Sequence, residues 1–185
     1  MAHRIFFISD THFGHANILN FKTSEGHPLR PFTTCEEMDE HIVECWNKTV
    51  RPCDKIYHLG DVVINRKSLS ILSRLNGHKR LVRGNHDIFK TKEYMEYFEE
   101  IYGVRVFSKE GIICSHIPLD YESLESRNWF NVHGHLHSNV KLHPNYLNIS
   151  VEQINYTPIE MDEIMVIKQL RGVTYNATKK DTSPT

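Results

Sequence analysis

Five short stretches hold the residues whose types and spacing could do chemistry: Asp10-Thr11-His12, Gly60-Asp61, Gly84-Asn85-His86-Asp87, Ser115-His116 and His133-Gly134-His135-Leu136-His137. In the last of these, histidines alternate around a glycine. On a strand running into a turn, side chains two apart point the same way. His135 and His137 are therefore expected to aim at one point, with Gly134 allowing close backbone approach. Together Asp10, His12, Asp61, Asn85, His116, His135 and His137 offer imidazole, carboxylate and amide oxygen, with no thiolate. Such donors suit borderline divalent ions, with Mn first and Fe, Zn, Ni or Co as alternatives. Seven donors exceed one closed tetrahedral zinc site but suit two ions sharing a carboxylate. Two such ions about 3.5–4 Å apart hold a water between them and lower its pKa, supplying hydroxide at neutral pH.

Charge indicates the substrate class. Two dications, set against two aspartates and a bridging hydroxide, leave one positive charge in surplus. A phosphate group neutralises that surplus and spans both ions, with phosphorus in line with the hydroxide. His86 is not needed as a ligand and is free to protonate the leaving oxygen. Asp87 is expected either to fix the tautomer of His86 and keep it cationic, or simply to close a turn. Three further residues are candidates for substrate binding. His15 and Asn17 follow the first ligand pair and could reach the phosphate, and Arg30 could supply a charge-assisted fork. A plain surface loop is the alternative for each. His58 and His133, within strands, read as core or supporting groups, and His3, His27, His41, His78 and His143 as background.

The elements that must position these residues repeat one device, a strand with a polar ligand at its exit. Residues 3–9 form a short apolar run rich in Ile and Phe, 55–59 a second strand, 79–83 a third and 130–132 another. In α/β proteins the carboxyl ends of strands are where ligands are placed. Residues 104–107 and 111–114 read as a hairpin, and 146–151 as a further strand. Thr34-x-x-Glu37 is a capping box, followed by Met38, Ile42, Trp46 and Val50 on one helical face, with Pro52 ending the helix. Other helices are expected at 67–75, at 92–101 with Met95 and Phe98 inward, at 121–127, and from 158 or 159 to 170. The pattern is α/β with a strong β share, in one domain over residues 1–172, with a polar, aperiodic, flexible tail at 173–185.

Composition sets the outer bounds. A chain of 185 residues with 39% hydrophobic and 24% charged residues is long enough for one sizeable core. A net charge of −1, without a basic, aromatic-interleaved groove, disfavours nucleic acid as the partner. A small phosphoester is the expected partner instead. Cys35, Cys45, Cys53 and Cys114 form no CxxC pair and read as reduced, mostly buried thiols of a cytoplasmic protein. The amino terminus lacks a signal-peptide layout, and no stretch approaches the roughly 20 apolar residues of a membrane span.

The set Asp10-x-His12, Gly60-Asp61, Gly84-Asn85-His86-Asp87, His116 and Gly134-His135-x-His137 resembles the calcineurin-like metallophosphoesterases, with all five motifs in the family's order. The run Ile8-Ser9-Asp10-Thr11-His12-Phe13-Gly14-His15 is similar to the small single-domain bacterial and phage members. Where many members have Gly before the ligand matching His116, Ser115 stands here. The resemblance implies two mixed β-sheets packed as a sandwich flanked by helices. It also implies one metal on Asp10, His12 and His137, a second on Asn85, His116 and His135, Asp61 bridging them, and His86 as proton donor. The expected function is a dinuclear metal-dependent phosphoesterase acting on a phosphomonoester or phosphodiester of nucleotide-like size. A nuclease of the same superfamily and a non-catalytic interaction module on this fold are the alternatives.

Overall fold

The computed structural model describes residues 3–176. Strand β1 (Ile5–Ile8) shows how the chain builds two layers at once. Its alternation sends Phe6 and Ile8 to a core beneath helix α1 (Cys35–Thr49), and Phe7 to a second core between two sheets. In the first sheet β1 lies parallel to β2 (Lys55–His58), β2 to β3 (His78–Val82), and β3 to β4 (Glu100–Tyr102). The second sheet contains β5 (Arg105–Phe107), β6 (Ile112–Cys114), β7 (Phe130–His133) and β8 (Tyr146–Asn148). There β5 and β6 form the expected antiparallel hairpin, and β6, β7 and β8 run parallel. The fold is thus α/β, two mixed sheets face to face with helices outside.

Helix α1 starts where the capping residues place it. Thr34 Oγ1 accepts from the Glu37 N–H at 3.1 Å, while Glu37 Oε2 reaches back to the Thr33 N–H at 2.8 Å. Met38, Ile42, Trp46 and Val50 are all buried. The segment expected as a helix at 67–75 is instead a 3₁₀ stretch, Arg66–Arg74. Its serines explain the tighter winding, because Ser70 and Ser73 hydroxyls bond local carbonyls and Asn65 caps the Ser68 N–H.

Two expectations shift at sheet edges. The helix read over 92–101 is a single turn, α2 (Thr91–Tyr94), after which residues 100–102 join the sheet as β4. Phe98 is buried as expected, but Met95 is half exposed, and Tyr94 takes the inward place. Helical periodicity gave way to the open edge of β3, whose backbone groups β4 satisfies. Likewise Ile159–Glu160 forms β9, antiparallel to β1, so the last helix, α4, runs over Met161–Leu170. Helix α3 (Tyr121–Glu125) matches its expected position.

All four cysteines are free, but Cys53 is exposed, Cys35 and Cys45 are half-buried, and Cys114 alone of the four is buried. The tail was expected from residue 173. Val173 is buried, Tyr175 packs on Trp129 with centroids 4.4 Å apart, and the Asn176 N–H bonds the Arg127 carbonyl. The packed chain therefore continues to Asn176, and 177–185 lie outside the described residues. Among the described residues, no helix is long and apolar enough to cross a membrane.

Candidate metal centre

Asp10 follows β1, Asp61 follows β2, Asn85 follows β3, His116 follows β6, and His135 and His137 follow β7. The carboxyl ends of strands from both sheets thus meet on one rim. Asp10, His12, Asp61, His135 and His137 all have positive φ, between 49° and 69°. Such conformations are strained for residues with a Cβ and persist only where the surroundings over-determine them. Here the loops press together. A Cβ on Gly134 would lie 2.0 Å from Ser9 Oγ and 2.3 Å from Asp10 Oδ2, and one on Gly84 would lie 2.3 Å from Asp61 Oδ1. Glycine at these two positions lets the ligand loops touch.

Among the described residues, two groups could each hold a metal ion, Asp10 with His12 and His137, and Asp61 with His116 and His135. Asp61 faces both. Its Oδ2 lies 3.6 Å from His12 Nε2 and 3.3 Å from His116 Nε2. Asn85 Oδ1 sits 2.9 Å from His116 Nε2, at the edge of the second group. His135 and His137 do not aim at one point, as strand alternation suggests. Strand β7 ends at His133, and positive φ at both residues turns one ring into each group.

The donor atoms themselves argue for ions. Asp10 Oδ1 and both ring nitrogens of His12 are buried without a hydrogen-bond partner. Buried polar atoms in that state are rare and need an explanation, of which a bound cation is one. Burial raises the Asp10 carboxyl above its ordinary value. Burial first, and then the charge of Arg30, lower His12 to about 2. The imidazole is therefore neutral and its lone pair available, as a metal ligand must be. Asp61 is held down at about 2, its desolvation outweighed by His116 and the His86 N–H. These residues fit two divalent ions.

A layer of supports aims the ligands, and sequence reading missed much of it. Glu152 Oε1 lies 3.0 Å from His137 Nδ1, which turns Nε2 toward the site. His116 Nδ1 pairs with the Leu59 carbonyl at 2.8 Å, to the same effect. Asp10 Oδ2 accepts from the His135 N–H and Ser150 Oγ, both at 2.9 Å. Glu152 and Ser150 follow β8 much as the ligands follow their strands, and that shared placement is the signal that could have revealed them. The supporting role read for His58 holds. It is buried, Thr11 Oγ1 lies against its Nε2, and its Nδ1 accepts from the Gly60 N–H. Ser115 is buried and satisfied, donating to the Ile117 carbonyl and accepting from Asn131.

Two expectations for polar residues are corrected. Arg30 is 1% exposed and does not reach the open face. Its guanidinium donates to the carbonyls of Asp10 (2.5 Å) and Thr11 (2.8 Å) and to Glu152 Oε1 (2.8 Å), locking the first ligand loop from behind. Asp87 does not orient His86 but closes its turn, the other role read for it. Its carboxylate accepts from the N–H groups of Asp61, Val62 and Gly84 and from the Tyr94 hydroxyl, tying the second and third ligand loops together. In both cases backbone groups inside the fold outcompeted the solvent-facing partner that residue order suggested. His86 itself is exposed, with its N–H on Asp61 Oδ1 at 2.8 Å and its ring 5.8 Å from that of His12. His15 packs edge-on against His12 at 5.6 Å and is half-buried, and Asn17 is exposed on the following turn.

Comparison with known proteins follows the same line. The family described as Calcineurin-like phosphoesterase matches residues 3–174. An uncharacterised protein of Methanocaldococcus jannaschii, MJ1445, is 34% identical over 175 residues, covering 88% of this chain and 89% of its own length. The Gene 66 protein of Mycobacterium phage D29 is 33% identical over 88 residues, 45% of this chain and 40% of its own. Among solved structures, a protein of unknown function from Aquifex aeolicus, AQ665, superposes with a TM-score of 0.69 at 32% identity. That match covers 88% of this chain and 98% of the other.

Proposed function

The chain belongs to the calcineurin-like phosphoesterases, and from that membership we propose that it hydrolyses a small, nucleotide-like phosphomonoester or phosphodiester at a dinuclear metal centre. Asp10, His12 and His137 would hold one ion and Asn85, His116 and His135 the other, with Asp61 facing both groups. When bound, such a pair supplies Lewis acidity toward phosphoryl oxygens and acidifies water, so that hydroxide is available at neutral pH. The observation that carries this reading is the shared Asp61 oxygen between two donor groups, beside buried donors that lack any other partner.

The chain's own residues do the rest. His86 stands at the mouth of the site on a backbone fixed to Asp61, within reach of a leaving oxygen, and donates a proton to it. His15, whose ring meets that of His12, borders the first group, and it and Asn17 on the following turn are assigned to the phosphate. Arg30, Glu152 and Asp87 hold the ligand loops in place and are assigned no contact with substrate. Manganese is the first choice among the borderline ions, and the free thiols support placement in the cytoplasm.

The test is hydrolysis of a chromogenic phosphodiester by the Mn-loaded protein. Replacing His86 by alanine should lower kcat about 10²–10⁴-fold, with metal content unchanged. A fully metallated protein inert toward mono-, di- and pyrophosphate esters refutes the proposal.

A further inference from the structure

We propose that the loop segment from Phe21 to Leu29 builds a nucleobase subsite beside the metal groups, with Phe21 as its stacking platform, so that the ester cleaved here is carried by a nucleoside. The inference rests on the phosphoesterase reading for the phosphate and adds the group to which that phosphate is attached.

A cavity of about 440 Å³ opens directly against the candidate ligands. It is lined by Phe21, Lys22 and Leu29 together with residues 135–139, which include His135 and His137. Its size falls within the range of small-molecule sites. Phe21 is 51% exposed, an unusual place for a large aromatic ring at the rim of a polar site. That ring meets His15 edge-on at 5.9 Å, and His15 in turn meets His12 at 5.6 Å. The Phe21 ring is thus two ring contacts from a metal ligand.

The platform is ordered. The Leu29 N–H bonds the Phe21 carbonyl at 2.8 Å, the Thr23 N–H bonds the His27 carbonyl at 2.8 Å, and Lys22 bridges Pro28. The Phe21 N–H is tied to the carbonyl of buried Ile18 at 3.1 Å. A ring held on a fixed backbone loses little freedom on stacking, which is the condition for useful affinity. Leu29 and Leu136 give the cavity apolar wall, and exposed Lys22 lines the same cavity and brings a positive charge to it. One apolar face, one cation and two metal groups together describe a nucleoside phosphate more closely than a sugar phosphate.

Titration calorimetry of the Mn-loaded chain with two non-hydrolysable phosphonates tests this, one the analogue of AMP and the other the analogue of ribose 5-phosphate. Base stacking on an aromatic side chain predicts at least about fivefold tighter binding of the AMP analogue. Phe21→Trp should keep that ratio and Phe21→Ala should bring it near one, with the ribose analogue bound equally by all three proteins. Equal affinities in the unmodified chain, or a ratio untouched by Phe21→Ala, overturn the subsite. Absence of binding by either analogue overturns it as well. Chromogenic-diester hydrolysis judges the phosphoesterase reading separately.

Discussion

Replacing Arg30 by methionine keeps an apolar stem of similar length and removes the charge and every donor. The guanidinium is buried against the carbonyls of Asp10 and Thr11 and the carboxylate of Glu152. Removing one half of a buried ion pair costs about 3–5 kcal/mol, because the other half remains charged and unpaired. Orphaned buried carbonyls add about 1–3 kcal/mol. His137 stays beside Glu152 and offsets part of this, for which it is well placed at 3.0 Å. The expected net loss is about 3–4 kcal/mol. Urea unfolding followed by tryptophan fluorescence measures it, since Trp46 and Trp129 are both buried. The measurement belongs in chelator, so that metal binding does not enter. With a urea slope of about 2 kcal/mol/M, the midpoint should fall by about 1.5–2 M. Pairing the change with Glu152→Gln removes the stranded charge and should recover about 1–2 kcal/mol. If Arg30→Met instead costs under about 1 kcal/mol and raises KM for a phosphoester, Arg30 is a phosphate ligand and the buried-clamp reasoning fails.

Other outcomes follow from the same geometry. Asp61→Asn should weaken both ions, because one oxygen faces both groups, whereas His12→Ala should bring the metal count from two toward one; elemental analysis after dialysis distinguishes them. Adding Mn to chelator-treated protein at a hundredfold excess over its dissociation constant should stabilise the fold by about 2.7 kcal/mol for each ion bound, visible as a raised Tm, and an unchanged melting curve contradicts the site. Asp54 precedes β2, at the opposite end of that strand from Asp61, and there hydrogen bonds from Arg51, joined by Arg4, outweigh desolvation and hold its carboxyl below the ordinary value. Its stabilisation is present above the unfolded pKa of about 4 and lost as acid titrates through the lower folded value. Asp54→Asn should therefore cost about 1–2 kcal/mol at pH 7, allowing for the partly exposed arginines, with the gap to the native chain closing below about pH 4. A gap that is constant with pH argues against the charge.

Much of this protein is local enough to be read without coordinates. The donor types, their order, and their positions just beyond apolar strands follow from short-range pattern, and so do the Thr34 cap and the buried face of Met38, Ile42 and Trp46. Those features depend on residue chemistry and on periods of two and 3.6, which a linear sequence carries intact. Which donors share an ion was a different matter. From the residues alone His135 and His137 form one pair, and only the resemblance to a family separated them; in space, positive φ at each sends them to different groups. The jobs of Arg30, Asp87 and Glu152 were likewise decided by tertiary structure. Arg30 and Glu152 are 122 positions apart in the chain, and their meeting exists only because two sheets bring their loops into contact. The β3 edge drew the end of a helical pattern read over 92–101 into strand β4 for the same reason, since an unpaired row of backbone groups outweighs local periodicity. Residue types could name the chemistry, but the direction of each side chain past a strand end is set by backbone strain and long-range hydrogen bonds, and those are properties of the folded chain.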